Sequence, residues 1–190
     1  MKYLLLICVI ALLSSSPSQA NNLDKLGYIT EQYAPFNYVD EKGDTRGLAV
    51  DILRKVWGKL GVKQQDIRVL PWARGYYLTL QKPNTVLFST TRIDSRESLF
   101  KWACPIAYLR VVLVAKKSAD ISLESLDDLS KYRLVAVRAD VGEQMLLERG
   151  VDDTKIHLAN QLDNAFKMLE RDRMDLLSGG RLQFLAESRS

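Results

Sequence analysis

The stretch best suited to chemistry is residues 85–106, TVLFSTTRIDSRESLFKWACPI, where hydroxyl groups and arginines follow a short apolar run. Residues 86–88 are typical of a buried strand, and three hydroxyl side chains come directly after it. In an open α/β sheet, ligands bind in the loops that follow the carboxyl ends of the strands. The guanidinium groups of Arg92 and Arg96 can each bind a carboxylate through two parallel hydrogen bonds. The segment therefore predicts a site for a small anion or zwitterion.

The elements that must position these residues form a β-α-β-α-β run. The predicted strands are residues 26–30, 67–70 and 86–88, and the predicted helices are residues 48–60 and 75–81. Helix 48–60 places Val56 and Leu60 on its apolar face. Such a run folds as a parallel sheet with right-handed crossovers, so all three strands end at one edge. That edge receives Glu31, Trp72 and Arg74 in addition to the hydroxyl groups.

A second series of strands and helices follows a polar linker at residues 116–119. Its predicted helices include residues 123–129, and its last predicted strand is residues 174–177. We divide the chain into lobe 1 (residues 21–115), which ends in a hinge strand at 111–115, and lobe 2 (residues 116–190). The cleft between two such lobes is the natural ligand site.

In lobe 2, Arg138 ends a predicted strand and Gly142 opens the next helix. The free N–H groups and positive dipole end of a helix can hold an anion, but ordinary helix-start chemistry explains the same pattern.

Residues 1–20 have the pattern of a secretory signal peptide. Lys2 precedes an apolar run at residues 3–13, and a small-x-small cleavage site lies at residues 18–20. The residues before Cys8 are too large for a lipoprotein signal. We therefore expect an exported, periplasmic chain whose one remaining cysteine, Cys104, is a small buried apolar residue.

Composition argues against several function classes. The net charge of +4 comes from interspersed charges without a basic run, which does not suggest a nucleic-acid or membrane partner. The only histidine, His157, falls inside a predicted strand, and no cluster has metal-ligand spacing. No nucleophile elbow or glycine-rich phosphate loop occurs. We expect no catalytic residues, no metal and no cofactor.

Three segments together resemble the bacterial extracellular solute-binding proteins of family 3, the periplasmic components of polar amino-acid uptake systems. They are TEQYAPFNYVDEKGDTRGLAVDIL at residues 30–53, PWAR at residues 71–74 and STTRIDSRESLFKWACPI at residues 89–106. The resemblance implies an α/β fold, the two-lobed periplasmic binding protein type II clamp, which closes on its ligand by hinge motion.

The resemblance also implies roles for individual residues. Tyr33 matches the aromatic residue that packs over the ligand, and Ser89 and Thr91 match positions that bond its carboxylate. Arg96 matches the arginine that pairs with that carboxylate. A weaker match, VRADVGEQML at residues 137–146, aligns Arg138 and Gly142 with a basic residue and a glycine of the second lobe. The remaining candidates, Glu31, Trp72 and Arg74, come from the strand-edge argument.

Two departures from the family pattern are visible. Gly180 stands where amino-acid binders place an aspartate for the ligand's ammonium group, so an α-amino acid would need Glu31 as the counter-charge. The chain stops at Ser190, so the return crossover and the C-terminal part of lobe 1 are missing from the expected fold. We expect a looser clamp with exposed apolar sheet.

The function that follows is binding of a small carboxylate-bearing, amino-acid-like solute for delivery to the membrane subunits of an ABC importer, by a monomer. One alternative is a dehydratase of cyclic acids, which some relatives with this fold are, with Glu31 as its only first-lobe catalytic candidate. A solute-sensing module and a truncated, non-functional remnant are further alternatives.

Overall fold

The computed structural model describes residues 23–187, so the predicted signal peptide lies outside the described residues. Lobe 1 contains, in chain order, β1 (Gly27–Thr30), β2 (Tyr38–Val39), β3 (Thr45–Arg46), α1 (Leu48–Lys59), β4 (Ile67–Val69), α2 (Trp72–Gln81) and β5 (Thr85–Leu87). Strands β1, β4 and β5 form a parallel sheet in the order β4-β1-β5. The predicted β-α-β-α-β run is confirmed, and β1 lies at its centre.

Helix α1 buries Ala49, Val50 and Trp57, and not the whole face that the sequence predicted. Val56 and Leu60, predicted on the apolar face, are 43% and 48% exposed. The buried Trp57 ring meets Tyr28 of β1 edge-on, with the ring centroids 4.8 Å apart. Because the indole is the largest apolar side chain of the helix, its burial against the sheet decides which face turns inward.

Lobe 2 contains β6 (Val111–Val114), β7 (Leu134–Val137), α3 (Val141–Glu148), β8 (Ile156–Ala159), α4 (Leu162–Glu170), β9 (Leu176–Gly180) and α5 (Arg181–Glu187). The four strands form one sheet in the order β6-β9-β7-β8. Strand β7 is parallel to both neighbours, whereas β6 runs antiparallel to β9. Every residue of β7 is buried. Alternate side chains of this strand enter two apolar clusters, one on each face of the sheet.

The predicted division of the chain at residue 115 is wrong for the hinge strand. Val111 pairs with Gly180 and Val114 with Leu177, so β6 belongs to the sheet of lobe 2. A short apolar strand fits the edge of either sheet equally well by composition. Its place is decided by which sheet edge is adjacent to it once the lobes are formed.

Three further predictions are corrected. The predicted helix at residues 123–129 is replaced by a short 3-10 helix, Asp127–Lys131, and the last strand is shifted to Leu176–Gly180. Helix α2 begins at Trp72, three residues earlier than predicted. Cys104 is exposed rather than buried, because its loop lies at the surface. No helix within residues 23–187 combines the length and the apolar character that a membrane span requires.

Candidate functional site

The carboxyl ends of the lobe 1 strands meet at one edge, as predicted. The backbone N–H of Leu70 donates to the carbonyl of Thr30 at 2.9 Å, and that of Phe88 donates to Ile29 at 3.2 Å. Because β1 is the central strand, Glu31 follows it between the segment that carries Trp72 and the segment that carries Ser89. The sequence therefore predicted correctly which loops share this edge.

Arg96 is the polar centre of the contact between the lobes. It lies in the 3-10 helix Asp94–Leu99 of lobe 1, and its side chain is fully buried. Nη1 donates to the Thr91 carbonyl at 3.0 Å within lobe 1. Across the cleft, Nη2 donates to the Ala139 carbonyl at 2.9 Å and Nε to Gln144 Oε1 at 2.7 Å. The guanidinium predicted to bind a ligand carboxylate thus bonds both lobes.

Two aromatic rings of helix α2 support this guanidinium. Its central carbon lies 5.1 Å from the ring centroid of Trp72 and 5.3 Å from that of Tyr76, which is cation–π range. Trp72 Nε1 also donates to the Ala139 carbonyl at 2.7 Å, so this oxygen accepts two hydrogen bonds from lobe 1. Trp72, predicted from the strand edge alone, is therefore part of the contact between the lobes.

We expect Trp72→Phe to lower the free energy of unfolding by about 1 kcal/mol or more, because it removes a buried hydrogen bond while keeping an aromatic ring. Trp102→Phe is the matched control, since Trp102 Nε1 makes its hydrogen bond near the surface, to the Glu97 carbonyl. Urea denaturation of the two variants measures the difference. Equal losses of unfolding free energy in the two variants would show that the buried hydrogen bond to the Ala139 carbonyl contributes no more than the surface bond of Trp102.

Two carboxylates lie at the same cleft, one from each lobe. Glu31 follows β1, and Asp140 follows β7 as the N-cap of α3, where Oδ1 accepts from the Val141 N–H at 2.6 Å. Burial raises the pKa of Glu31 well above its ordinary value, and the nearby charge of Asp140 raises it further, against the lowering effect of Arg96. Burial likewise raises the pKa of Asp140, opposed by the Val141 N–H and by Arg96.

At the start of α3, two carboxylates of the protein itself accept hydrogen bonds from backbone N–H groups. Asp140 takes the N–H of Val141, and the carboxylate of Glu143 accepts from the N–H of Ala139. Arg138 directly follows β7, which ends at Val137, and it is exposed. Among the described residues this segment therefore presents carboxylates to the cleft.

Gly142 has a packing role. A Cβ atom at this position would lie 2.3 Å from the carbonyl oxygen of Ser178, which is far inside van der Waals contact. The Ser178 hydroxyl donates to the Gly142 carbonyl at 2.9 Å. The glycine lets α3 approach β9 closely enough to place Asp140 and Gln144 at the cleft.

The hydroxyl groups predicted to donate hydrogen bonds to a ligand carboxylate follow β5 at this edge of the sheet. Ser89 has a φ of 62°, and its Oγ is buried with no hydrogen-bond partner among the described residues. Thr91 is half-buried, and its carbonyl accepts from Arg96. A buried hydroxyl without a partner is costly, which marks Ser89 as a candidate contact for a polar ligand group.

Tyr33 reaches from lobe 1 to the end of β9. The residue is buried, and its hydroxyl oxygen lies 2.6 Å from where a Cβ of Gly180 would be. Gly180 stands where the family pattern has an acidic residue, and the Tyr33 hydroxyl occupies the space that a side chain at this position would need. Burial, together with the nearby charges of Asp140 and Glu31, raises the pKa of Tyr33, so the phenol is protonated and can donate.

The structure separates the remaining candidates from this group. Arg74, in the first turn of α2, is exposed, and Arg92 forms a surface ion pair with Glu97. Sequence reasoning missed Asp140, Gln144 and the Ala139 carbonyl. A signal for Asp140 was present, because a carboxylate between a predicted strand end and a helix start has the position of an N-cap.

Within residues 23–187, no group of three or more His, Cys, Asp or Glu side chains could hold a metal ion. Two surface pockets, of about 440 Å³ and about 370 Å³, lie on lobe 2 away from the cleft; one is lined by Lys131, Arg133 and His157, the other mainly by apolar side chains.

Comparison with known proteins gives one family and several similar proteins. The family model of the bacterial extracellular solute-binding proteins, family 3, matches residues 27–178. A probable amino-acid ABC transporter-binding protein of Haemophilus influenzae is 32% identical over 98 residues, which are 51% of this chain and 37% of that protein. The chain thus matches well under two thirds of this curated relative's length.

Solved structures share the fold. An ancestral arginine-binding protein bound to arginine superposes with a TM-score of 0.72 at 24% identity, covering 86% of this chain and 73% of that chain. An ancestral amino acid-binding protein, described as a precursor of cyclohexadienyl dehydratase, gives a TM-score of 0.74 at 19% identity, covering 92% and 80%. These matches confirm the two-lobed fold that the sequence predicted.

Proposed function

Because the chain belongs to the bacterial extracellular solute-binding proteins of family 3, we propose that it binds a small polar, amino-acid-like solute between its lobes and delivers it to an ABC importer. The single observation that supports this most strongly is the burial of Arg96 at the cleft, with hydrogen bonds to both lobes. A solute that contacts this guanidinium also affects how the two lobes pack against each other. A membrane transporter can recognise that arrangement of the lobes.

The relatives' names agree with this proposal. The Haemophilus influenzae protein is named a probable amino-acid ABC transporter-binding protein, and one of the similar structures is bound to arginine. We extend that class of ligand to this chain, with Glu31, Tyr33, Trp72, Ser89, Thr91 and Arg96 as the first-lobe contacts. Delivery places the protein in the periplasm, as a monomer that docks on the membrane subunits of the importer.

We propose binding without catalysis. A dehydratase on this fold would need a catalytic group facing the cleft, and Glu31 is the first-lobe residue that could serve. Incubation of the protein with prephenate or arogenate tests this directly. Release of product at a rate that depends on Glu31 would replace the binding proposal with an enzyme.

The test of binding is a thermal-shift screen of the full chain against amino acids, small carboxylates and polyamines. A ligand that binds only the native state stabilises it by about 2.7 kcal/mol at a concentration of 100 times its Kd. We expect one ligand class to raise the Tm and the other classes to leave it unchanged. A well-folded protein whose Tm responds to none of these solutes would contradict the proposal.

A further inference from the structure

All three nitrogens of the Arg96 guanidinium have partners within the protein. Nη1 donates to the Thr91 carbonyl of its own lobe, whereas Nε donates to Gln144 Oε1 at 2.7 Å and Nη2 to the Ala139 carbonyl at 2.9 Å. Nε and Nη2 form one edge of the planar guanidinium, and such an edge binds the two oxygens of a carboxylate through parallel hydrogen bonds. Two oxygens of lobe 2 therefore occupy the edge that a solute carboxylate would use.

The guanidinium is also covered from both lobes. Arg96 is fully buried, so a solute cannot reach it while the lobes keep this arrangement. The rings of Trp72 and Tyr76 lie over it from lobe 1, and Ala139 and Gln144 close it off from lobe 2. The two rings belong to the same lobe as the arginine. A solute therefore gains access when lobe 2 moves away.

The lobe 2 side of this contact is held in a particular backbone conformation. Ala139 has a φ of 58°, in the left-handed region that residues other than glycine rarely adopt. Such a conformation persists only where the surrounding structure holds it in place. Here Ala139 packs in one apolar cluster with Trp72 and Tyr76 of lobe 1, and its carbonyl also accepts from Trp72 Nε1 at 2.7 Å. Packing and two hydrogen bonds thus direct this carbonyl toward lobe 1.

We propose that Gln144 and the Ala139 carbonyl are an internal ligand of Arg96, which closes the two lobes without solute and competes with the carboxylate of the solute. This inference rests on the proposed function, because it concerns a guanidinium of the same cleft. A solute that binds Arg96 must displace both oxygens, so its apparent affinity is reduced by the fraction of molecules in which they have left. Gln144 then sets the affinity, since no side-chain change removes the backbone acceptor at Ala139.

The first test measures how often the guanidinium becomes accessible in the full chain without solute. The protein is labelled with p-hydroxyphenylglyoxal, which reacts with arginine, and each arginine is quantified by mass spectrometry. Arg96 should react slowly and the exposed Arg74 quickly. We expect Gln144→Leu, which removes the acceptor, to raise the Arg96 labelling rate about tenfold, the effect of losing one hydrogen bond to a charged group. Gln144→Glu keeps an acceptor there and should leave the rate low.

Two control variants separate opening of the lobes from general destabilisation. Gln161→Leu makes a similar change at an exposed position of lobe 2 whose side chain makes no capping hydrogen bond, and Arg96 should react there as in the wild type. Leu169→Ala lowers the Tm from the apolar core of lobe 2 without touching the partners of Arg96, so labelling well below that Tm should stay slow. Equal Arg96 rates in Gln144→Leu and the wild type, or an equal acceleration in Leu169→Ala, would overturn the inference.

The second test concerns the solute, with L-arginine as the probe because one of the similar structures is bound to it. Isothermal titration should give a Kd about tenfold lower for Gln144→Leu than for the wild type, because helix α3 stays in place and only the competing acceptor is lost. A higher Kd would make Gln144 a contact of the solute and overturn the competition. Arg96 labelling that responds to Gln144, in a protein whose Tm responds to no solute of the screen, would support the internal ligand and contradict the proposed function.

Discussion

Replacing Arg96 with alanine is expected to lower the free energy of unfolding by roughly 3–5 kcal/mol and to abolish measurable solute binding. Three hydrogen bonds of a buried cation are lost, each worth about 1.5–3 kcal/mol before the remaining groups rearrange. Gln144 Oε1 loses its bond from lobe 1, whereas the Ala139 carbonyl keeps Trp72 Nε1. Urea denaturation gives the stability, and calorimetric titration gives the affinity.

Arg92→Ala is the matched control for this change. Arg92 belongs to the same segment, but its ion pair with Glu97 lies at the surface, where such pairs contribute little. We expect its Tm and its ligand affinity to stay close to those of the wild type. The radius of gyration of Arg96→Ala from X-ray scattering should increase, because two of the lost bonds join the lobes. A variant that is as stable and compact as the wild type would exclude a docking role for Arg96.

Gly142→Ala is expected to destabilise lobe 2 by about 1–3 kcal/mol, the usual range for overpacking a filled site. The added methyl group would lie 2.3 Å from the Ser178 carbonyl oxygen and 3.0 Å from Gly179 Cα, both of which are backbone atoms of β9. Helix α3 must therefore move away from the sheet, and Asp140 and Gln144 move with it. We expect the Tm of the unliganded protein to fall together with its ligand affinity.

Gly58→Ala serves as the control, since nothing lies within 4 Å of the added Cβ and the residue is exposed in helix α1. That change should stabilise the protein by roughly 0.5–1 kcal/mol through helix propensity. The opposite signs isolate the packing effect at Gly142. A Gly142→Ala protein with normal stability and lost binding would instead make the glycine a direct ligand contact, as the family resemblance implies.

The order of the local elements was predictable because it depends on short-range patterns. Residues 26–30, 67–70 and 86–88 are separated by helices, and that alternation alone requires a parallel sheet with one shared edge. The hydroxyl groups and Arg96 were found because they follow a strand of that sheet. Their types limited the ligand to a small polar molecule before any contact was known.

The tertiary structure decided which groups are still free to bind. Arg96 was predicted as a ligand contact, but its partners Ala139 and Gln144 lie 43 and 48 residues further along the chain. The placement of β6 in lobe 2 has the same origin. In each case a side chain or strand with several suitable partners takes the one that packing brings closest. The sequence thus determined the chemistry that reaches the cleft, and the packing of the two lobes decided that the guanidinium there bonds to acceptors of the protein itself.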